Sequence, residues 1–171
     1  MARNIEIKAR VDDLTSLERR VAPLADAGPT AIHQDDTFFH CPSGRLKLRV
    51  FDDGQGELIA YARDDAAGPK LSDYVRSATA DPASLRDALA RALGVRGRVV
   101  KQRTLYLIGP TRVHLDRVDG LGDFVELEVV LADHQTAADG QDVAHALLAT
   151  LDIAPGQLLT PAYIDLIEQR P

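Results

Sequence analysis

The chain opens on strict alternation. From Arg3 to Val11, the residues Ile5, Ile7, Ala9 and Val11 fall on one face of an extended segment, and Asn4, Glu6, Lys8 and Arg10 on the other. The same period of two returns along the chain and predicts seven further strands, at 34–40, 45–51, 57–63, 71–78, 98–108, 112–117 and 123–131. The turn Asp52-Asp53-Gly54-Gln55-Gly56 joins the third and fourth as a hairpin, and 64–70 reads as loop. Elsewhere the period becomes helical. Asp12 or Asp13 is placed to cap a helix to about Ala27, with Leu14, Leu17, Val21 and Leu24 on one side, a kink at Pro23 and a stop at Gly28-Pro29. Asp81-Pro82 starts a second helix carrying Leu85, Leu89 and Leu93, which Gly94 closes. Two more are expected, from about Asp142 to Leu151 and from Pro161 to Gln169, the latter capped by Thr160. Eight mostly antiparallel strands with a few helices and no linker predict one α+β domain over 1–171, with a closed barrel as one solution.

Composition narrows the partners. A chain of 171 residues, 45% hydrophobic, buries roughly 70% of its unfolded surface. A net charge of −6 argues against a generic nucleic-acid or acidic-membrane partner. The single cysteine, Cys41, excludes an intrachain disulfide and fits a reducing, cytoplasmic setting. No apolar run approaches the roughly 18 residues of a membrane-spanning helix, and the first residues lack the apolar stretch of a signal peptide.

The charges follow the strand period. Lys47 and Arg49, Tyr61 and Arg63, Lys101 and Arg103, His114 and Asp116, and Glu126 and Glu128 each point one way, as do Glu6 and Lys8. Opposite them are expected Leu46, Leu48, Leu105, Leu107, Val113, Leu115, Leu127 and Val129. One strand of this kind is ordinarily a sheet with its charged face in water. Here nearly every strand carries the pattern, and the signs segregate: cations on the third, fourth and sixth strands, carboxylates on the first, seventh and eighth. The alternative is a ring whose charged face points inward and whose aliphatic face is covered by the helices. Unpaired buried charges cost several kcal/mol each, so such a lumen calls for a polyanion on the cations and a divalent cation on the carboxylates. A polyphosphate with Mg²⁺ or Mn²⁺ satisfies both. Arg10, Arg45, Arg76 and Arg112 read as solvated, His114 as a hydrogen-bonding residue, and Tyr61 and Tyr163 as packing residues.

Six stretches, in order, resemble the CYTH superfamily of triphosphate tunnel metalloenzymes, and class IV adenylyl cyclases within it. They are Asn4-Ile5-Glu6-Ile7-Lys8, Gln34 to Phe39, Leu46-Lys47-Leu48-Arg49, Lys101-Gln102-Arg103, His114-Leu115-Asp116 with Gly120 to Glu128, and Ala162 to Ile167. The resemblance implies an eight-stranded antiparallel closed β-barrel, a tunnel with a charged lumen flanked by helices. It implies a small-molecule triphosphate as partner, neither nucleic acid nor membrane, and, by analogy, a homodimer. Glu6, Glu126 and Glu128 would be metal ligands for Mg²⁺ or Mn²⁺. Lys8, Lys47, Arg49, Arg63, Lys101 and Arg103 would hold phosphate oxygens, and Lys8, Arg49 and Asp116 would act in catalysis, Asp116 near the metal or its water. One departure stands out: Asn4 occupies the place of the signature's first glutamate and gives up one negative charge. The implied reaction is ATP to cyclic AMP and pyrophosphate. The alternatives are hydrolysis of inorganic triphosphate, thiamine triphosphate or a nucleotide, and phosphate binding without turnover.

Overall fold

The computed structural model describes residues 2–63 and 70–171, without the side chains of residues 2, 63 and 70–72. The loop expected at 64–70 therefore lies, all but its last residue, outside the described residues. Among the described residues, nine strands and four α-helices run in the order β1 (Ala2–Arg10), α1 (Leu14–Val21), β2 (Ala27–Phe39), β3 (Arg45–Val50), β4 (Gly56–Arg63), β5 (Lys70–Thr79), α2 (Pro82–Leu93), β6 (Val95–Ile108), β7 (Thr111–Val118), β8 (Gly122–Val130), α3 (Ala137–Thr150), β9 (Leu158–Leu159) and α4 (Tyr163–Glu168). The sheet order is β5-β4-β3-β2-β6-β7-β8-β1-β9, and β5 also pairs with β1, so eight antiparallel strands close in a ring. The short β9 continues that seam, pairing Leu159 and Leu158 with Lys8 and Ala9 where the β1–β5 ladder has ended.

Closure decides which face is which. The aliphatic faces of β1, β7 and β8 point outward, where Ile5, Ile7, Val113, Leu115, Leu127 and Val129 pack with Leu14, Leu17 and Val21 of α1 and Ala144 and Leu148 of α3. Burial of this apolar surface, at about 25 cal/mol per Å², holds the two helices against the ring. Local chemistry sets the helix starts: Asp13 accepts from the Ser16 N–H at 2.9 Å and Asp81 from the Ser84 N–H at 3.1 Å. A second apolar cluster lies inside one end of the ring. There Phe38, Val99, Val118 and Phe124, all on the inward face, meet Ala162, Tyr163 and Ile164 at the start of α4. The last helix thus packs across that end.

Four expectations are corrected. The first helix does not reach Ala27: α1 ends at Val21, a 3₁₀ turn covers Ala22–Leu24, and Gly28-Pro29 lies within β2, which starts seven residues early. The register against β6 shifts between Ala27 and Thr30, and Gly28 takes φ +110° with the Leu105 carbonyl 2.7 Å from where a Cβ would sit. The glycine thus serves a strand irregularity rather than a helix stop. The third helix starts at Ala137, not Asp142, behind a capping box of Thr136 and Asp139. Gly140 sits in its first turn because a Cβ there would come within 2.6 Å of Ile5 and Leu131. The last helix begins at Tyr163 after Ala162, two residues later than expected. Finally, Leu105 and Leu107 share the face of Lys101 and Arg103 instead of opposing it. The β6–β7 register runs unbroken from Lys101 to Ile108, with Leu105 opposite His114 and Leu107 opposite Arg112. The outward residue there is Tyr106, in the core beside α1, donating its hydroxyl hydrogen to Glu18 at 2.8 Å.

Candidate functional site in the lumen

The charged faces converge. One cavity of about 360 Å³ inside the ring is lined by Glu6, Lys8, Lys47, Arg49, Lys101, Arg103, Glu126 and Glu128, together with Asn4, Gln34, Asp36 and His114. Of the anticipated site residues, Asp116 lies beneath the cavity wall, fully buried, and the side chain of Arg63 is outside the described ones. Because β7, β8 and β1 are neighbours in the ring, Glu6, Glu126 and Glu128 come together beside His114 as one acidic pole. Glu6 stands directly opposite Glu128, Lys8 opposite Glu126, and Glu126 opposite His114. One ligand atom each from His114, Glu126 and Glu128 fall within 4.8 Å of one another.

The cations are held by two buried aspartates. Asp36 on β2 faces Arg49 on β3 and accepts from its Nε and Nη2, both at 2.7 Å, and from Lys47 Nζ at 3.0 Å. Burial opposes the charge on Asp36, but Arg49 and then Lys47 outweigh it and hold the carboxyl well below the usual carboxylate range. Asp116 on β7 faces Arg103 on β6 in the same way, accepting from Nε and Nη2 at 2.7 Å. Lys101 Nζ is 3.5 Å from the same carboxylate and Tyr163 donates its hydroxyl hydrogen to it at 2.8 Å. Against burial, Arg103 and then Lys101 keep Asp116 ionised. With both oxygens so engaged, Asp116 does not join the acidic cluster; it anchors Arg103, Lys101 and Tyr163.

Three further groups carry shifted protonation. Burial, then the neighbouring Arg103, pushes the Lys101 ammonium down to about 7 against the pull of Asp116 and Glu126. Burial, again with Arg103, pulls His114 down to about 4, so its imidazole is neutral at pH 7. Glu126 stays ionised because Lys8 and Arg103, at 3.9 and 3.3 Å, outweigh its burial. Tyr163 carries more than packing: Lys8 and Lys101 lie 3.9 and 4.8 Å from its ring centroid, and its edge meets Phe124.

Sequence reasoning passed over several lining residues. Arg76 and Arg112, expected in water, line the cavity, and Arg112 donates to Glu128 Oε2 at 3.1 Å. Arg45, on the same face of β3 as Lys47 and Arg49, instead donates to Asp165 of α4 at 2.8 Å, helped by Arg96 at 2.9 Å, and so fastens the helix that carries Tyr163. Asp36 had the parity of Gln34 and Phe38, which was the available signal; its partner across the strand was not visible. Asn4 Oδ1, Gln34 Oε1 and His114 Nδ1 are buried without a hydrogen-bond partner among the described residues. Orphaned acceptors beside carboxylates are the donor set a divalent cation requires, so the residues present fit one.

The arrangement is thus a cavity of about 360 Å³ with a cationic wall and an acidic pole. Among the described residues, no helix is long and apolar enough to cross a membrane. The chain is 25% identical to the adenylate cyclase CyaB of Aeromonas hydrophila, over 96% of this chain and 88% of that protein. A Pyrococcus horikoshii protein of known structure shares the fold with a TM-score of 0.86 at 23% identity, covering 95% of this chain and 98% of that one. So does the Hippeastrum protein HpAC1, described as having a dominant triphosphatase activity, with a TM-score of 0.69 at 13% identity over 98% and 95% of the two chains. Residues 2–163 match the CYTH domain, and the chain belongs to that family.

Proposed function

We propose that this chain is a divalent-metal-dependent enzyme that converts ATP to cyclic AMP and pyrophosphate. The observation that carries the reading is the enclosure of Lys47, Arg49, Lys101 and Arg103 in one cavity with Glu6, Glu126 and Glu128. A cluster of buried cations needs a polyanion, and arginine forks suit bidentate contact with phosphate oxygens while lysines act as point charges. Arg49 and Arg103, each locked by an aspartate, hold the β- and γ-phosphates in place and stabilise charge on the leaving pyrophosphate. Lys8, Lys47 and Lys101 complete the phosphate wall, and the family resemblance alone adds Arg63 to the residues proposed to meet phosphate. Glu6, Glu126 and Glu128 would hold Mg²⁺ or Mn²⁺, which when bound would lower the pKa of the 3′-hydroxyl and neutralise charge on the transferring group. The 3′-oxygen attacks the α-phosphorus, the bond from that phosphorus to the bridging oxygen of pyrophosphate breaks, and the hydroxyl proton leaves with the pyrophosphate. Phe38, Ile59, Tyr61 and Tyr74 form an apolar and aromatic stretch of the cavity wall suited to a nucleoside. The likeness to a curated adenylate cyclase over nearly the whole chain supports the same reaction.

The second reading is a triphosphatase, with water attacking the terminal phosphorus of inorganic triphosphate, thiamine triphosphate or a nucleotide. The fold shared with a protein of dominant triphosphatase activity favours it, and it uses the same residues. Incubation of the pure protein with ATP and Mn²⁺, with products separated by chromatography, decides between them. Cyclic AMP with pyrophosphate is expected; orthophosphate alone overturns the cyclase reading in favour of hydrolysis. Glu126→Gln is expected to abolish turnover while tripolyphosphate with metal still raises the melting temperature.

A further inference from the structure

The acidic pole contains a nitrogen donor that a purely carboxylate site leaves unused. His114 faces Glu126 across the β7–β8 ladder, its side chain is 6% exposed, and it lines the cavity. Its Nδ1 has no hydrogen-bond partner among the described residues, and a buried polar atom left unsatisfied costs free energy that calls for an explanation. Glu128 divides its two oxygens. Oε2 accepts from Arg112 at 3.1 Å, whereas Oε1 lies 3.9 Å from His114 Nδ1. That separation is too long for a hydrogen bond. It suits two atoms bound to a common ion, since bonds of about 2.0–2.2 Å place neighbouring ligands roughly 3–4 Å apart. At the same pole Asn4 offers a neutral amide oxygen that also lacks a partner. A set with an imidazole nitrogen among its carboxylate and amide oxygens departs from the all-oxygen surroundings that suit Mg²⁺ and moves towards ions that accept nitrogen readily.

We propose that His114 is a ligand, through a ring nitrogen, of the divalent cation held at Glu126 and Glu128, and that this mixed set selects Mn²⁺ or Co²⁺ over Mg²⁺. The inference rests on the reading of the acidic pole as the metal site and adds a ligand and a preference to it.

The test is calorimetric titration of the metal-free full chain with Mn²⁺, Co²⁺ and Mg²⁺ separately, no nucleotide present. It is paired with paramagnetic broadening of histidine ring signals by substoichiometric Mn²⁺. Mn²⁺ and Co²⁺ are expected to bind tighter than Mg²⁺ and to broaden one histidine signal, the one missing from His114→Ala. That variant is expected to lose at least about 10-fold in Mn²⁺ and Co²⁺ affinity, because even outer partners of metal ligands are worth that much. Its Mg²⁺ affinity should stay within about twofold. His114→Phe keeps a planar ring without nitrogen and is expected to show the same loss if the alanine variant folds poorly. If both variants keep the wild-type affinities while Glu126→Gln/Glu128→Gln loses them, His114 is not a ligand, the proposal is overturned and the metal pole stands. If the wild type binds none of the three ions, or the double glutamine variant binds them unchanged, the metal pole itself falls and takes the proposal with it.

Discussion

Two buried clamps in the lumen share one plan and differ in what surrounds them. Each is a Lys-x-Arg pair on one strand facing an aspartate directly across the ladder: Lys47 and Arg49 with Asp36, Lys101 and Arg103 with Asp116. Each arginine is gripped by two bonds of 2.7 Å. The first clamp is simple. One carboxylate serves two cations, whose side chains retain 15% and 13% exposure towards the cavity. The second is a network. Arg103 also reaches Glu126, Tyr163 donates to Asp116, and Lys101 is pressed to 5% exposure between opposite charges. The same motif therefore yields a permanently cationic ledge on one side and, on the other, a nearly balanced cluster whose charge turns on one lysine. Buried ion pairs are weak stabilisers when intact but expensive to break, because the surviving partner is left charged in a poor solvent.

That asymmetry can be broken in steps. The largest effect is expected for Asp116→Asn, which strands Arg103 in the more enclosed clamp. A loss of about 3–5 kcal/mol should appear as a lower denaturant midpoint in equilibrium unfolding. Asp36→Asn is expected to cost less, about 1–3 kcal/mol, because Lys47 and Arg49 retain contact with water. Equal losses for the two would erase the distinction. Arg49→Ala, with the ledge gone but the network intact, should weaken tripolyphosphate binding at least about 10-fold, roughly 1.4 kcal/mol, in calorimetric titration. Tyr163→Phe removes one hydrogen bond to Asp116 and should cost about 1–1.5 kcal/mol of stability, with pure packing predicting almost none.

The subtlest readout is protonic. Lys101 titrates near 7 in the folded chain and at 10.5 when unfolded. Between those values the unfolded chain binds more protons, so this group makes the ligand-free protein more stable as pH rises through that window, and the stability is lost as pH falls from 10.5 to about 7, with no further change below. A bound triphosphate supplies negative charge and restores the proton. At pH 8, titrations in buffers of different ionisation enthalpy should show proton uptake on binding. Lys101→Met should abolish that uptake, whereas Lys47→Met should leave it.

Much of this lumen was legible from parity. Glu6, Lys47, Arg49, Glu126 and Glu128 sit inside because strand side chains alternate, and the outward neighbours of Glu6, Glu126 and Glu128 needed α1 and α3 as a cover. Parity was also where the reading slipped, at Leu105 and Leu107, which share the inward face of β6 but lie beyond the cavity lining. Gly28 misled because it looked like a local stop, yet it answers to a distant contact with Leu105, just as Gly140, ahead of the expected helix start at Asp142, answers to Ile5 and Leu131.

By itself the sequence determined the period of two, the caps, the segregation of charge among strands and the family signature, because these depend on residues close together in the chain. Only the tertiary structure decided that Asp36 and Asp116 each grip an arginine, that α4 packs across one end, and that His114 turns its nitrogen to Glu128. Those depend on strand register and ring closure, which join residues from 13 to more than 100 positions apart and which no local pattern encodes.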